Sequence, residues 1–165
     1  VVKKHVRELD CKVMFEPGRM IAGNAGILVT QVIYVKEGAE KNFVIVDAGM
    51  NDLIRPTLYE AYHEVRPVSE PDVNADRFTA DVVGPVCETG DFLAQNRDMP
   101  KVNAGDMLAV YSAGAYGSVQ SSTYNSRLLV PEVLVNADQF AVIRPRPSYE
   151  DLLDLDKIPD WLKTS

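Results

Sequence analysis

The chain has 165 residues, 46% hydrophobic and 25% charged, enough for one ordinary soluble domain or a domain with a fragment of another. Seventeen basic against 24 acidic residues leave a net charge of −7, and no Lys/Arg cluster supplies the basic footprint a nucleic-acid partner needs. No apolar run approaches the roughly 18 residues of a membrane span, and two cysteines, Cys11 and Cys87, allow at most one disulfide and share no metal-ligand spacing with His5 or His63. Free thiols in a reducing cytoplasm are the simpler reading.

The first nine residues, Val-Val-Lys-Lys-His-Val-Arg-Glu-Leu, have helical character without a helix start, which reads as the end of a helix in a longer protein. Lys12-Val13-Met14-Phe15 reads as a short buried strand, broken by Glu16-Pro17-Gly18-Arg19. Helix, strand and loop in that order have the rhythm of a barrel or a parallel sheet. Residues 20–26 are small and suit one helical turn.

From Ile27 the period changes to that of strands. Residues 27–35 form a long β-branched run, Glu37-Gly38-Ala39-Glu40 turns it, and Phe43-Val44-Ile45-Val46-Asp47 returns as an antiparallel partner. Asn51-Asp52 offers N-cap chemistry for a helix over 58–64, closed by Pro67. Residues 68–77 read as a polar surface loop and 79–86 as a strand. Residues 94–105 read as a connection, 107–111 as a core strand, and 132–135 with 139–144 as a hairpin. A short helix over 149–155 follows. After residue 26 the expected fold is mainly β, a closed or nearly closed barrel.

Reactive groups gather where these elements end. Gly84-Pro85-Val86-Cys87-Glu88-Thr89-Gly90-Asp91 presents a thiol, a hydroxyl and two carboxylates in a turn. Alone, it reads equally as a buried thiol beside solvated loop charges. Cys87 could donate a proton and Glu88 could bind an ammonium group. Glu16-Pro17-Gly18-Arg19 puts a cation at a strand end, where a (β/α)8 barrel carries its site; alone it is a surface turn. Arg55 and Tyr59, four apart, could grip a carboxylate, or be a helix-flank cation and a core tyrosine. Tyr116, between Gly114 and Gly117, could pack on a flat cofactor or end a strand. His63 reads as a helix-surface residue, and two histidines do not favour a His-based triad.

In this order the four motifs Glu16-Pro17-Gly18-Arg19, Asn51-Asp52-Leu53-Ile54-Arg55-Pro56 with Tyr59, residues 84–91 and Ser112-Ala113-Gly114-Ala115-Tyr116-Gly117 resemble the C-terminal part of the diaminopimelate decarboxylases. These belong to the alanine-racemase-like, pyridoxal-phosphate-dependent decarboxylases, and the resemblance runs from about Val13 to Leu155. It implies that residues 1–26 are the last strand and helix of a cofactor-binding (β/α)8 barrel and residues 27–165 a C-terminal β domain, in a homodimer with active sites shared at the subunit boundary. It also implies an amino acid substrate and pyridoxal 5′-phosphate as cofactor. It assigns Glu16, Pro17, Gly18, Arg19 and Tyr116 to the cofactor, and Arg19, Arg55, Tyr59, Glu88 and Tyr116 to the substrate. Cys87 is implied as the proton donor.

The cofactor-linking lysine of such enzymes lies early in the barrel, in a motif absent here; Lys12 reads as a surface charge. The chain is therefore expected to be a C-terminal fragment, incapable of holding the cofactor by itself. Decarboxylation of meso-diaminopimelate to lysine is the leading expectation. Ornithine-, arginine- and carboxynorspermidine-type decarboxylases, and a non-catalytic β-barrel, are the alternatives.

Overall fold

A computed structural model describes residues 2–6 and 11–162. Alternating side chains build most of it. In β1 (Leu28–Lys36) Thr30 and Val32 point inward and are buried, while their neighbours face out. A bulge between Val32 and Tyr34 then shifts the inward position to Val35, which packs on the core. β2 (Asn42–Val46) returns antiparallel to β1, as its sequence predicts, and buries Val44 and Val46.

The chain then passes through α2 (Arg55–Tyr59) to the far edge of the sheet, where it forms β3 (Val65–Pro67), and returns as β4 (Arg77–Val83), parallel to β2. A parallel pair needs such a crossover, and this one carries α2 over the end of the barrel where β2 and β4 finish. β5 (Phe92–Pro100) pairs antiparallel with β4, and β6 (Met107–Val110) lies between β3 and β1. The sheet order is β3-β6-β1-β2-β4-β5. Its two outer strands, β3 and β5, approach each other, so the sheet is a nearly closed barrel. Val32, Val44, Leu53, Leu93, Met99 and Leu108 fill it.

Several elements differ from the sequence expectation. β5 occupies most of a stretch read as a connection, because its middle, Gln95 to Asp98, is polar and bulged, with Asn96 at φ 48°. α2 starts at Arg55, ahead of the expected helix, and ends at Glu60 in the left-handed region. Its N-cap is Ile54 without a side-chain bond; Asn51 and Asp52 turn inward to partners described below.

Residues 12–15 form no strand: Met14 and Phe15 are exposed. A strand needs a neighbour for its N–H and C=O groups, and none of the described residues provides one. Of the expected N-terminal helix, α1 (Val2–Val6) is present, while residues 1 and 7–9 lie outside the described residues. The expected turn in 20–26 is the 3-10 turn Gly23–Ala25.

β7 (Glu132–Asn136) and β8 (Gln139–Arg144) form the expected hairpin as a separate two-stranded sheet. Arg144 pairs with Glu132 at 2.5 Å, and both bond the Ser118 hydroxyl. The expected C-terminal helix is α3 (Tyr149–Leu153), opened by a capping box between Ser148 and Asp151. No helix among the described residues is long and apolar enough to cross a membrane.

Candidate active site

The Cys87 turn is built by one carboxylate. β4 ends at Val83, and a Cβ at Gly84 would lie 2.5 and 2.6 Å from the two Asp91 oxygens, so only glycine fits. Asp91, read from sequence as a solvated charge or a reactive carboxylate, is buried. Its Oδ1 accepts from the Met50 N–H at 2.6 Å and its Oδ2 from the Val86 N–H at 2.5 Å. Backbone bonds from Gly84 to Asp91, Glu88 to Val86 and Asp91 to Glu88 close the turn on itself. Cys87, Glu88 and Thr89 are left exposed at its tip. Cys87 is therefore an accessible free thiol, as is Cys11, and not a buried hydrophobe. The Tyr124 hydroxyl donates to Glu88 Oε2 at 3.3 Å.

A second group forms around Arg55. Its guanidinium lies 5.4 Å from the centre of the Tyr59 ring and 5.7 Å from that of Tyr116, so two aromatic faces hold one cation. A Cβ at Gly18 would sit 3.5 Å from the Tyr116 hydroxyl. Arg19 Nη2 donates to the Ser112 carbonyl at 2.7 Å. Residues 22–26 dock tightly here: Ala113 and Gly114 N–H donate to the Gly26 and Gly23 carbonyls, and a Cβ at Gly114 would collide with the Ala22 carbonyl. Ser112 and Tyr116 both adopt left-handed backbone, φ 59° and 56°, a cost of about 1 kcal/mol or more each. Glu16 and Pro17 are exposed.

α2 stands between the two groups. Arg55 and Tyr59 are four residues apart and share a face. Thr57, two residues on from Arg55 and so about 200° around the axis, donates its hydroxyl to the Gly90 carbonyl of the Cys87 turn. No hydrogen bond, ion pair or ring contact among the described residues joins Cys87 or Glu88 to Arg19, Arg55, Tyr59 or Tyr116. The expected residues thus lie in two separate groups on opposite faces of one short helix.

The sequence matches the family described as the pyridoxal-dependent decarboxylase C-terminal sheet domain over residues 10–114. The chain belongs to that family. It is 49% identical over 162 residues to the diaminopimelate decarboxylase of Zymomonas mobilis, covering 98% of this chain and 38% of that protein. A solved Aquifex aeolicus structure superposes with a TM-score of 0.81 at 49% identity, covering 93% of this chain and 38% of that one. Diaminopimelate decarboxylase from Helicobacter pylori, solved with L-lysine, superposes at 0.78 and 42% identity, covering 93% and 37%. The chain thus spans a little over a third of the length of the relatives it matches.

Three features around these groups escape a reading of the sequence. His63, expected on a helix surface, is 1% exposed, and its Nδ1 donates to the Tyr111 carbonyl at 2.9 Å. Burial holds its pKa below the ordinary histidine value; the bond to Tyr111 opposes this, and Arg19, Arg55 and Arg97 reinforce it. Arg97 lies 3.9 Å over the Tyr62 ring.

The third is Arg127, which donates to Asn51 Oδ1 at 2.9 Å, to the Asp47 carbonyl at 2.6 Å and to Asp52 Oδ2 at 3.4 Å. It anchors the loop that leads into α2. Burial raises the Asp52 pKa, against the lowering effects of the Gly49 N–H and Arg127. A raised folded-state pKa means the folded state holds the proton more tightly, so ionising Asp52 costs stability as pH rises through that value. Removing Arg127 enlarges this cost. Arg127→Leu is expected to lose about 2–3 kcal/mol at pH 7 and clearly less at pH 4, with urea unfolding at both values as the check. An equal loss at the two pH values would show that Arg127 acts through its bonds to Asn51 and the Asp47 carbonyl and not through the Asp52 charge.

Proposed function

We propose that the chain is the C-terminal part of a decarboxylase that converts meso-diaminopimelate to L-lysine and CO2 in the cytoplasm. Residues 1–26 are then the end of a pyridoxal-phosphate-binding (β/α)8 barrel and residues 27–165 the β domain. The arrangement that carries the reading is the two half-sites turned away from each other across α2. It supports a homodimer in which Arg19, Arg55, Tyr59 and Tyr116 serve one active site, while Cys87 and Glu88 serve the partner's.

The residues present fit an anionic cofactor and an amino acid substrate. Arg19 Nε and Arg55 Nε are buried without a hydrogen-bond partner, no carboxylate pairs with either guanidinium among the described residues, and Gly18 leaves space beside the Tyr116 hydroxyl. Glu16, Pro17, Gly18, Arg19 and Tyr116 would border the cofactor. Pyridoxal phosphate, when bound, supplies the electron sink that lets CO2 leave.

The protein's own work is positional and protonic. Arg19 and Arg55 bind substrate carboxylates, the planar guanidinium matching two oxygens at once. Tyr59 holds Arg55 from one face. As the bond to the departing carboxylate breaks, the same carbon takes a proton from Cys87 Sγ, and the thiolate recovers one from water. Glu88, steadied by Tyr124, binds the ammonium group at the far end of the substrate. A glutamate for the far ammonium together with a second arginine for the far carboxylate suits a substrate with an amino acid group at each end better than a simple diamine precursor.

The test is Glu88→Gln in the barrel-bearing enzyme. Losing a charge-assisted bond is expected to raise KM for meso-diaminopimelate about 10- to 100-fold. An unchanged KM for diaminopimelate would remove Glu88 from substrate recognition.

A further inference from the structure

His63 is a buried histidine that the reaction above does not use. It lies four residues after Tyr59, the last residue of α2, and its ring reaches across to the end of β6. The Tyr111 carbonyl is an acceptor, so the bond of 2.9 Å requires Nδ1 to carry the proton. The next residue, Ser112, is the strained corner whose carbonyl holds Arg19 at 2.7 Å. Ser112 Oγ donates to Asn24 at 2.7 Å, and Tyr111 N–H donates to the Glu64 carbonyl at 2.8 Å. One side of the corner is thus tied to the segment of Arg19 and the other to the segment that follows Arg55. His63 provides the side-chain tie on the Arg55 side.

The surroundings are unusual in one respect. Arg19 Nε, Arg55 Nε, Arg97 Nη1 and His63 Nε2 are all buried without a hydrogen-bond partner, and all three arginines act on the His63 charge. An orphaned polar atom inside a protein calls for an explanation. Guanidinium N–H groups waiting for an anion account for the arginines. A ring that must stay uncharged among three cations, with its one proton committed to Tyr111, accounts for His63 Nε2.

We propose that His63 is a positioning residue that sets the spacing of the Arg19 and Arg55 guanidinium groups through its Nδ1–H bond to the Tyr111 carbonyl. The inference rests on the reading of these two arginines as carboxylate-binding groups. A two-point grip on one substrate depends on that spacing, because a misplacement near 1 Å is enough to weaken it severely.

Two measurements test it. In the 165-residue chain, which has two histidines, nitrogen-15 NMR at pH 7 is expected to show His63 protonated at Nδ1 and bare at Nε2; the opposite tautomer overturns the proposal. In the barrel-bearing enzyme, His63→Gln, whose amide lies at the wrong distance for Tyr111, is expected to raise KM about tenfold with kcat within about threefold. His63→Asn, whose amide nitrogen replaces Nδ1, is expected to restore KM to within about threefold of the unaltered enzyme. An unchanged KM in His63→Gln, or an Asn variant no better than Gln, overturns it. If the unaltered enzyme releases no CO2 from any amino acid, the functional reading fails separately. The Arg19 and Arg55 Nε–H resonances of the chain then decide: they shift in His63→Gln and return in His63→Asn, or the positioning role is wrong.

Discussion

Replacing Cys87 with alanine in the barrel-bearing enzyme is expected to lower kcat for meso-diaminopimelate by about 10²- to 10⁴-fold, the usual weight of a positioned general acid, while KM stays within about twofold. The split follows from where the thiol sits. Cys87 is exposed at the tip of a turn whose fold depends on Asp91 and Gly84, not on the Cys87 side chain. On the proposed function, removing Sγ takes away the proton donor without disturbing Arg19 or Arg55, the proposed carboxylate-binding groups on the other side of α2. Cys11→Ala, at the chain's other exposed free thiol, is the matched control and is expected to leave kcat unchanged. Equal losses in the two variants would point to general thiol sensitivity. A large rise in KM for Cys87→Ala would make the residue a binding group.

The largest expected effect on stability comes from Asp91. Its carboxylate is 5% exposed and holds two backbone N–H groups from separate segments, Met50 before α2 and Val86 after β4. Asp91→Ala strands both donors and removes two charge-assisted bonds, an expected loss of about 3 kcal/mol or more. Asp91→Asn keeps the shape but offers an NH2 group to one of two facing donors, so it is expected to recover less than half of that loss. Urea unfolding gives both figures, with an unchanged slope confirming that stability alone has moved. A loss under about 0.5 kcal/mol in Asp91→Ala would mean that the turn is held by its backbone bonds. In the barrel-bearing enzyme the same substitution should also depress kcat, since the Cys87 tip loses its frame.

What was legible in the sequence follows from how locally each feature is determined. β1, β2 and the β7–β8 hairpin are visible because their alternation or their turn is written in neighbouring residues. β5 is hidden: Gln95-Asn96-Arg97-Asp98 is polar because it lies on an outer strand and is bulged, and its pairing with β4 is not encoded in its own composition. Asn51 and Asp52 look like helix caps because the arginine that claims them lies 76 and 75 residues later. His63 looks like a surface residue for the same reason, since its partner carbonyl is 48 residues away.

As single positions the candidate site residues are barely distinguished in the sequence; family resemblance is what selects them as a set. Arg55 and Tyr59 meet as their four-residue spacing predicts. The opposition of Thr57 to them, and with it the separation of the two half-sites, follows from helical geometry only once α2 is known to begin at Arg55 rather than beyond it. Residues 12–15 form no strand because the apolar Val13-Met14-Phe15 reports a willingness to pair, while pairing itself requires a neighbour.

Release of CO2 from meso-diaminopimelate by this chain joined to a pyridoxal-phosphate-binding barrel, assayed beside the chain alone with added cofactor, tests the proposed function most directly. Lysine and CO2 in equal amounts are expected from the joined protein and none from the chain alone. Turnover by the chain alone, or a joined protein that decarboxylates ornithine or arginine in preference to diaminopimelate, would contradict it.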